Sequence, residues 1–368
     1  MVFPATRDRQ RHLRLERAGL GHDLASLRLT DPPPPEALVR FKPEAGQRFL
    51  LTVDTEEEFD WSQPLRANGH TVDTVARLRK FQQFCEGFGV VPVYLVDYPI
   101  ATAPLAAEVL KEPLARGTAE IGVQLHPWVN PPHDEDVNQF NSFAGNLPYE
   151  LERAKFLKLH ETIIRNFGAV PLIYRAGRYG LGPNTAAILR EAGIAIDTSI
   201  RSRFDYSGWG GPDYRDLGLH PWWVDRERSL MELPLTSVFA GALRPWGQKL
   251  FPALNRVPRM QGVMARLRLL DRIPLTPEGV TIAEALHAID IALAEQLPVL
   301  VLSFHSPSLY PGHTPYVRTP ADLDRMYDWW RAVFGKLIAR GVKPTSVRDI
   351  MGSVDLGPGE LASQATRR

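Results

Sequence analysis

Cysteine is nearly absent from this 368-residue chain: Cys85 stands alone. A single thiol excludes an internal disulfide and any cysteine-based metal site. Its neighbours Phe81, Phe84 and Phe88 follow helical spacing, so it reads as a buried structural thiol. Charge of one sign is equally scarce. With 43 basic against 42 acidic residues the formal net charge is +1, which favours neither nucleic acid nor an anionic membrane surface as a partner. No stretch approaches the roughly 18 apolar residues of a membrane helix. Arg7, Arg9, Arg11, Arg14 and Arg17 are not followed by an apolar run, so no secretory signal is read there and the expected location is cytoplasmic. The Gly-x-Ser-x-Gly elbow is also missing, which weakens a Ser-His-Asp reading. What is present is an ordinary globular composition, 44% hydrophobic.

Residues 1–46 read as an irregular leader, with Pro32–Pro35 and a short helix over Leu13–Leu29; 353–368 read as a flexible tail. Between them, 47–352 form one domain in which strands and helices alternate. Strands are expected at Phe49–Thr55, Val90–Val96, Glu120–Leu125, Leu172–Tyr174, Ile194–Ile196, Leu230–Leu235 and Val299–Phe304, with Trp222–Val224 pairing beside the sixth and a last short strand at Thr345–Asp349. Helices are expected at Val72–Phe88, Pro104–Ala115, Glu150–Phe167, Asn184–Ala192, Ile282–Ala294 and Leu323–Arg340. The basic segment Arg256–Arg272 reads as an amphipathic helix packed on the domain. Repeated strand–helix units predict a parallel α/β sheet, closed or nearly closed into a barrel, with an open doubly wound sheet as the alternative.

Polar residues collect just after the strands: Asp54 and Glu56, Asp97, His126, Arg175 and Arg178, Asp197, His305. A barrel puts these on one rim. Asp54 and Glu56 alternate, so both point to the barrel mouth, and two adjacent carboxylates suit a split between metal binding and proton transfer. Glu57 and Glu58 are explained by a helix N-terminus. His126 ends its strand, where an imidazole can be a metal ligand or a hydrogen-bonded structural group. Trp128 is a sugar-stacking platform or core. Arg175 and Arg178 flank Ala-Gly, and the turn offers backbone N–H groups to an oxyanion. His305 is placed as a general acid; His133, His220 and His313 lie in loops and are read as structural. Trp209, Trp222 and Trp223 line a groove or pack inside.

In these segments and their order the chain resembles the polysaccharide deacetylase (NodB-homology, carbohydrate esterase) superfamily, and within it the WalW-like branch, over about 48–350. The resemblance implies a distorted (β/α)7 barrel and a divalent metal, often zinc, used to remove acetyl or formyl groups from amide nitrogen. By motif it implies Asp54 as the base, Glu56 and His126 as metal ligands, Arg175 beside the base, Asp197 holding that arginine, the Tyr179 N–H at the oxyanion and His305 as the general acid. It implies a carbohydrate substrate. The sequence departs from the pattern at Asn130, where a second metal histidine is usual, with His133 as a shifted replacement, and in Asp54-Thr-Glu-Glu, which replaces Asp-Asp-Gly-Pro. Asn130 is a weaker ligand than imidazole, so metal identity, and activity itself, stay open. A sugar-binding or scaffold protein on the same barrel and a non-sugar amidase or deformylase are the alternatives.

Overall fold

The computed structural model describes residues 28–355 apart from 61, 62, 255, 256 and 258. Its strands are β1 (Arg48–Thr55), β2 (Val93–Val96), β3 (Glu120–Leu125), β4 (Ile173–Ala176), β5 (Ile196–Asp197), β6 (Trp222–Trp223), β7 (Met231–Glu232), β8 (Ser237–Ala240), β9 (Asp271–Pro274), β10 (Val299–His305) and β11 (Lys343–Pro344). Seven of them, in the order β10-β1-β2-β3-β4-β5-β7, are parallel throughout. β6 adds antiparallel to β7, β11 pairs with the start of β1, and β8 and β9 form a separate hairpin.

The sheet curls until its ends meet. Beyond β7 the Thr236 N–H donates to the Val301 carbonyl at 3.3 Å, and the Val301 N–H donates to Thr236 Oγ1 at 2.9 Å. Thr236 thus makes two bonds of the seam to β10, and the Leu275 carbonyl accepts a third from the Ser303 N–H at 3.2 Å. The result is the expected α/β barrel, distorted where β5 and β7 are short.

Period-2 alternation divides the core. Leu50, Val93, Leu95, Ile173, Ile196, Val299 and Val301 fill the interior, while Phe49, Leu51, Val53, Val96 and Val123 face the helical shell. Gly122 belongs to the inner layer. A Cβ there would lie 2.5 Å from Leu95 Cδ2 and 2.8 Å from the Ile173 carbonyl, so only glycine lets β2, β3 and β4 close up.

The helices are α1 (Leu78–Glu86), α2 (Tyr98–Thr102), α3 (Pro104–Arg116), α4 (Tyr149–Phe167), α5 (Thr185–Glu191), α6 (Gly247–Leu254), α7 (Met260–Arg266), α8 (Ile282–Ala294), α9 (Pro320–Ala339) and α10 (Val347–Gly352). Local chemistry sets their ends. Capping boxes start α8 (Thr281 with Glu284) and α9 (Thr319 with Asp322), and left-handed Gly117 and Gly168 end α3 and α4.

Four expectations change. The strand at 345–349 is instead α10, because Ser346 caps the Asp349 N–H. The helix over 256–272 is only α7 followed by β9, since the 268–271 stretch leads into the hairpin with β8. The strand at 230–235 shrinks to β7 next to Pro234, although Leu233 and Leu235 still donate to the Asp197 and Ile200 carbonyls. Residues 28–46 are irregular yet packed on the barrel: Leu29 and Ala37 are buried, Leu38 bridges Trp222, and Phe41 bridges Val354. The helix expected over Leu13–Leu29 and most of the tail lie outside the described residues. Cys85 is buried, as are Trp222 and Trp223, which therefore belong to the core.

Candidate active site

The inward alternation that packs the barrel with aliphatics changes chemistry at the C-terminal strand ends. Leu50, Thr52 and Asp54 point the same way, as do Val301, Ser303 and His305, Gly122, Gln124 and His126, and Ile173 and Arg175. These residues open into one cavity of about 750 Å³, which Asp54, Glu56, Glu57, His126, Arg175 and His305 all line.

On one side His126 is locked by its surroundings. Its Nδ1 lies 3.0 Å from Glu57 Oε2, Trp128 Nε1 donates to Glu57 Oε1 at 3.0 Å, and the Trp128 ring stacks on the imidazole with centroids 4.4 Å apart. Below Glu57, Asp97 Oδ2 accepts the Glu57 N–H at 2.8 Å and Asp97 Oδ1 accepts from Ile100. Gly177 leaves room for the ring; a Cβ there would stand 2.5 Å from His126 Cδ2. Burial alone would raise the Glu57 carboxyl, but His126 and a hydrogen bond shared with Asp97 hold it well below the usual range, and burial together with Glu57 drives Asp97 up. Glu57 is thus the ionised member and fixes the proton on His126 Nδ1. His126 Nε2 is left facing Glu56 Oε2 at 3.6 Å.

On the other side Arg175 donates to Asp54, to Thr52 Oγ1 at 2.8 Å and to the Thr198 carbonyl at 3.1 Å, so each of its three nitrogens has a partner. The second Asp54 oxygen stands 3.7 Å from His305 Nε2. His305 Nδ1 lies 2.6 Å from Glu278 Oε2, and Glu278 Oε1 also accepts from the His305 N–H and from Ser308. Burial disfavours the imidazolium, but Glu278, then Glu56 and Asp54, outweigh it and push His305 up to about 10. Burial pushes Glu56 up to about 7 despite the two histidines. That carboxylate is short of positive charge.

Two groupings could hold a cation. Glu57, Asp97 and His126 offer ligand atoms within 4.8 Å of one another, but those of Glu57 and Asp97 already serve Trp128, Ile100, His126 and the Glu57 N–H. Glu56 and His126 Nε2 are free of such duties. Two ligands bonded at 2.0–2.2 Å to one tetrahedral ion stand about 3.4 Å apart, close to the 3.6 Å found between them. Glu57 then acts as the carboxylate that orients a ligating histidine.

Several sequence expectations are corrected. Asn130 is not among the residues that line the cavity: its Nδ2 donates to the Lys155 and Pro131 carbonyls while its Oδ1 is buried with no partner among the described residues, and buried Lys155 draws the 127–135 loop onto α4 through the Pro127, Asn130 and Pro132 carbonyls and Glu135. His133 is exposed. Asp197 makes no ion pair with Arg175 among the described residues; it accepts from Ser199 at 2.5 Å and shares a hydrogen bond with Glu232, whose carboxyl burial and Asp197 push well up. The Thr198 carbonyl takes the place by Arg175 that Asp197 was expected to fill. Glu57 belongs to the site, not to a helix start. Tyr179 does line the cavity, and with Arg178 it forms two consecutive residues in the left-handed region (φ 63° and 54°), a costly backbone typical of functional turns. Glu278 and Arg201 were missed. Glu278 sits in a loop 27 positions before its partner, with no local signal.

No model of a known protein family matches the sequence, and no curated protein does. Several solved structures are similar to it at low identity. A Mycobacterium smegmatis protein assigned as a polysaccharide deacetylase is 18% identical, over 86% of this chain and 98% of that one, with a TM-score of 0.43. The allantoinase Puue is 14% identical, over 87% and 93%, with a TM-score of 0.44. A CE4 family pseudoenzyme from Bacillus anthracis is 8% identical, over 83% and 65%, with a TM-score of 0.38. Polysaccharide deacetylases are thus among the structures this chain resembles.

Proposed function

We propose that this chain is a metal-dependent hydrolase that removes an acetyl or other small acyl group from the amide nitrogen of an amino sugar. One observation carries the reading: Asp54, tied to Arg175, stands between the His305–Glu278 pair and the Glu56–His126 pair in a single cavity. Glu56 and His126 would hold a divalent ion, which supplies carbonyl polarisation and an acidified water. Zinc suits an imidazole and a carboxylate, though two protein ligands do not select it strongly.

The chain's own groups divide the remaining work. Asp54 keeps one oxygen on Arg175 and is placed to take a proton from the attacking water with the other. His305, charged at neutral pH, gives a proton to the nitrogen as the C–N bond breaks, so the products are a free carboxylic acid and an amine. The backbone N–H of Tyr179 would stabilise the developing oxyanion. Trp128, Tyr206, Trp209 and Tyr316 on the walls offer ring faces to a sugar.

Elemental analysis of the purified chain beside His126→Ala, with acetate release from N-acetylglucosamine oligomers, tests this. The expected result is about one divalent ion per chain and acetate release, both lost in the variant. Saccharide binding with no ion and no release would overturn it in favour of a sugar-binding barrel, a reading that the withdrawal of Asn130 from the cavity favours. Release from small formamides alone would move the substrate to a non-sugar amide.

A further inference from the structure

We infer that the cavity contains a subsite for an oxyanion of the substrate, a carboxylate or phosphate, built on Arg201. The charges lining the cavity are unevenly matched. Asp54, Glu56, Glu57 and Glu278 face Arg175, His126 and His305, and each acid has a basic neighbour within 4 Å. Arg178 and Arg201 also line the cavity, and among the described residues neither has a carboxylate within ion-pair distance.

Arg201 is held by rings alone. Its guanidinium lies 4.0 Å from the Phe204 centroid and 5.4 Å from that of Tyr179, and its one side-chain hydrogen bond is a long 3.5 Å contact with the Tyr206 hydroxyl. Arg272 covers the other face of Phe204 at 3.4 Å and adds a second positive charge behind it. Arg178 rests on Phe143 at 4.6 Å and donates only to the Ser142 hydroxyl. A half-buried guanidinium with most of its five donors unused is costly to keep beside another cation. Aromatic packing fixes its plane and leaves the fork open, the preorganisation a bidentate oxyanion needs. Tyr206 lies next to it, and the 57% exposed Trp209 stands 6.3 Å from the Tyr206 ring; these two can carry the sugar ring that bears the anion.

The inference rests on the cavity being a substrate site, and a binding assay separates it from the hydrolase reading. The full chain is titrated with N-acetylglucosamine, N-acetylmuramic acid and N-acetylglucosamine 6-phosphate, followed by tryptophan fluorescence. At least one anionic sugar should bind about tenfold more tightly than the neutral one, the scale of a charge-assisted hydrogen bond. Whichever anion gains identifies the group as carboxylate or phosphate. Arg201→Gln should abolish the advantage; if that variant does not fold, Arg201→Lys, which keeps the charge without the fork, should lose most of it. Equal affinity for all three sugars, or an advantage that survives in the variants, would show Arg201 to be a ring-packed structural residue and overturn the inference. Anion preference without acetate release would leave it standing and remove the hydrolase; acetate release without anion preference would do the reverse.

Discussion

At the scale of single residues the site is a set of proton positions decided by neighbours. His305 stays charged because Glu278 outweighs burial. Glu278→Gln therefore lowers the His305 pKa, and since His305 must be protonated to serve the leaving nitrogen, the alkaline limb of kcat/KM should move down by about one unit or more; a pH–rate profile reads this. Glu152, far from the cavity mouth, gives a stability counterpart. Burial pushes its carboxyl up to about 7 even though the Thr185 hydroxyl donates to it. With the folded value above the unfolded 4.5, nothing is lost below about pH 4.5. As pH rises, the unfolded chain sheds its proton first and stability falls, by about 3 kcal/mol in all once pH passes 7. Glu152→Gln should flatten that slope, so its urea midpoint matches the parent at pH 4 and exceeds it at pH 8.

Elements act by bringing their ends to the right place. The β3 end carries His126, and the turn after β4 carries Gly177, whose missing Cβ is the space the imidazole occupies. Gly177→Ala should rotate the ring off Glu57 and weaken divalent ion binding at least about tenfold, the usual scale for disturbing the support of a ligating histidine, with an overpacking cost of about 1–3 kcal/mol. A metal titration beside a thermal melt separates the two effects. The α4 helix has a related role, since Lys155 gathers three carbonyls of the loop that follows His126. That loop has only one 3-10 turn, Pro127–Val129, and a buried cation supplements its sparse backbone pairing.

For the whole molecule, closure is the decisive event. Thr236 joins the two ends of the parallel sheet through both its backbone and its hydroxyl. Thr236→Val keeps the shape but leaves the Val301 N–H without its acceptor. The expected cost is about 1–3 kcal/mol, read as a lower urea midpoint, together with faster amide exchange at Val301 than at the β1 partners. Closure also explains why acids and arginines can share one cavity: inward side chains from β1, β3, β4 and β10 converge there.

The sequence by itself determined the inward-facing set. Alternation is local, so Leu50, Thr52 and Asp54, or Val301, Ser303 and His305, had to share a face once their segments became strands, and hydrophobic runs bounded by turns marked those segments. The order of the motifs was enough to expect the barrel and to place Asp54, His126, Arg175 and His305 at its mouth. Pairing across the barrel is non-local, and only the tertiary structure decided it. Glu57 turned to His126 because Asp97, 40 positions on, accepts its N–H. Asn130 turned away because Lys155 claims its loop, Asp197 went to Ser199 and Glu232, and Glu278 came to His305 from a loop with no pattern to announce it. Which polar groups meet depends on where the closed sheet brings distant loops, and no local spacing encodes that distance.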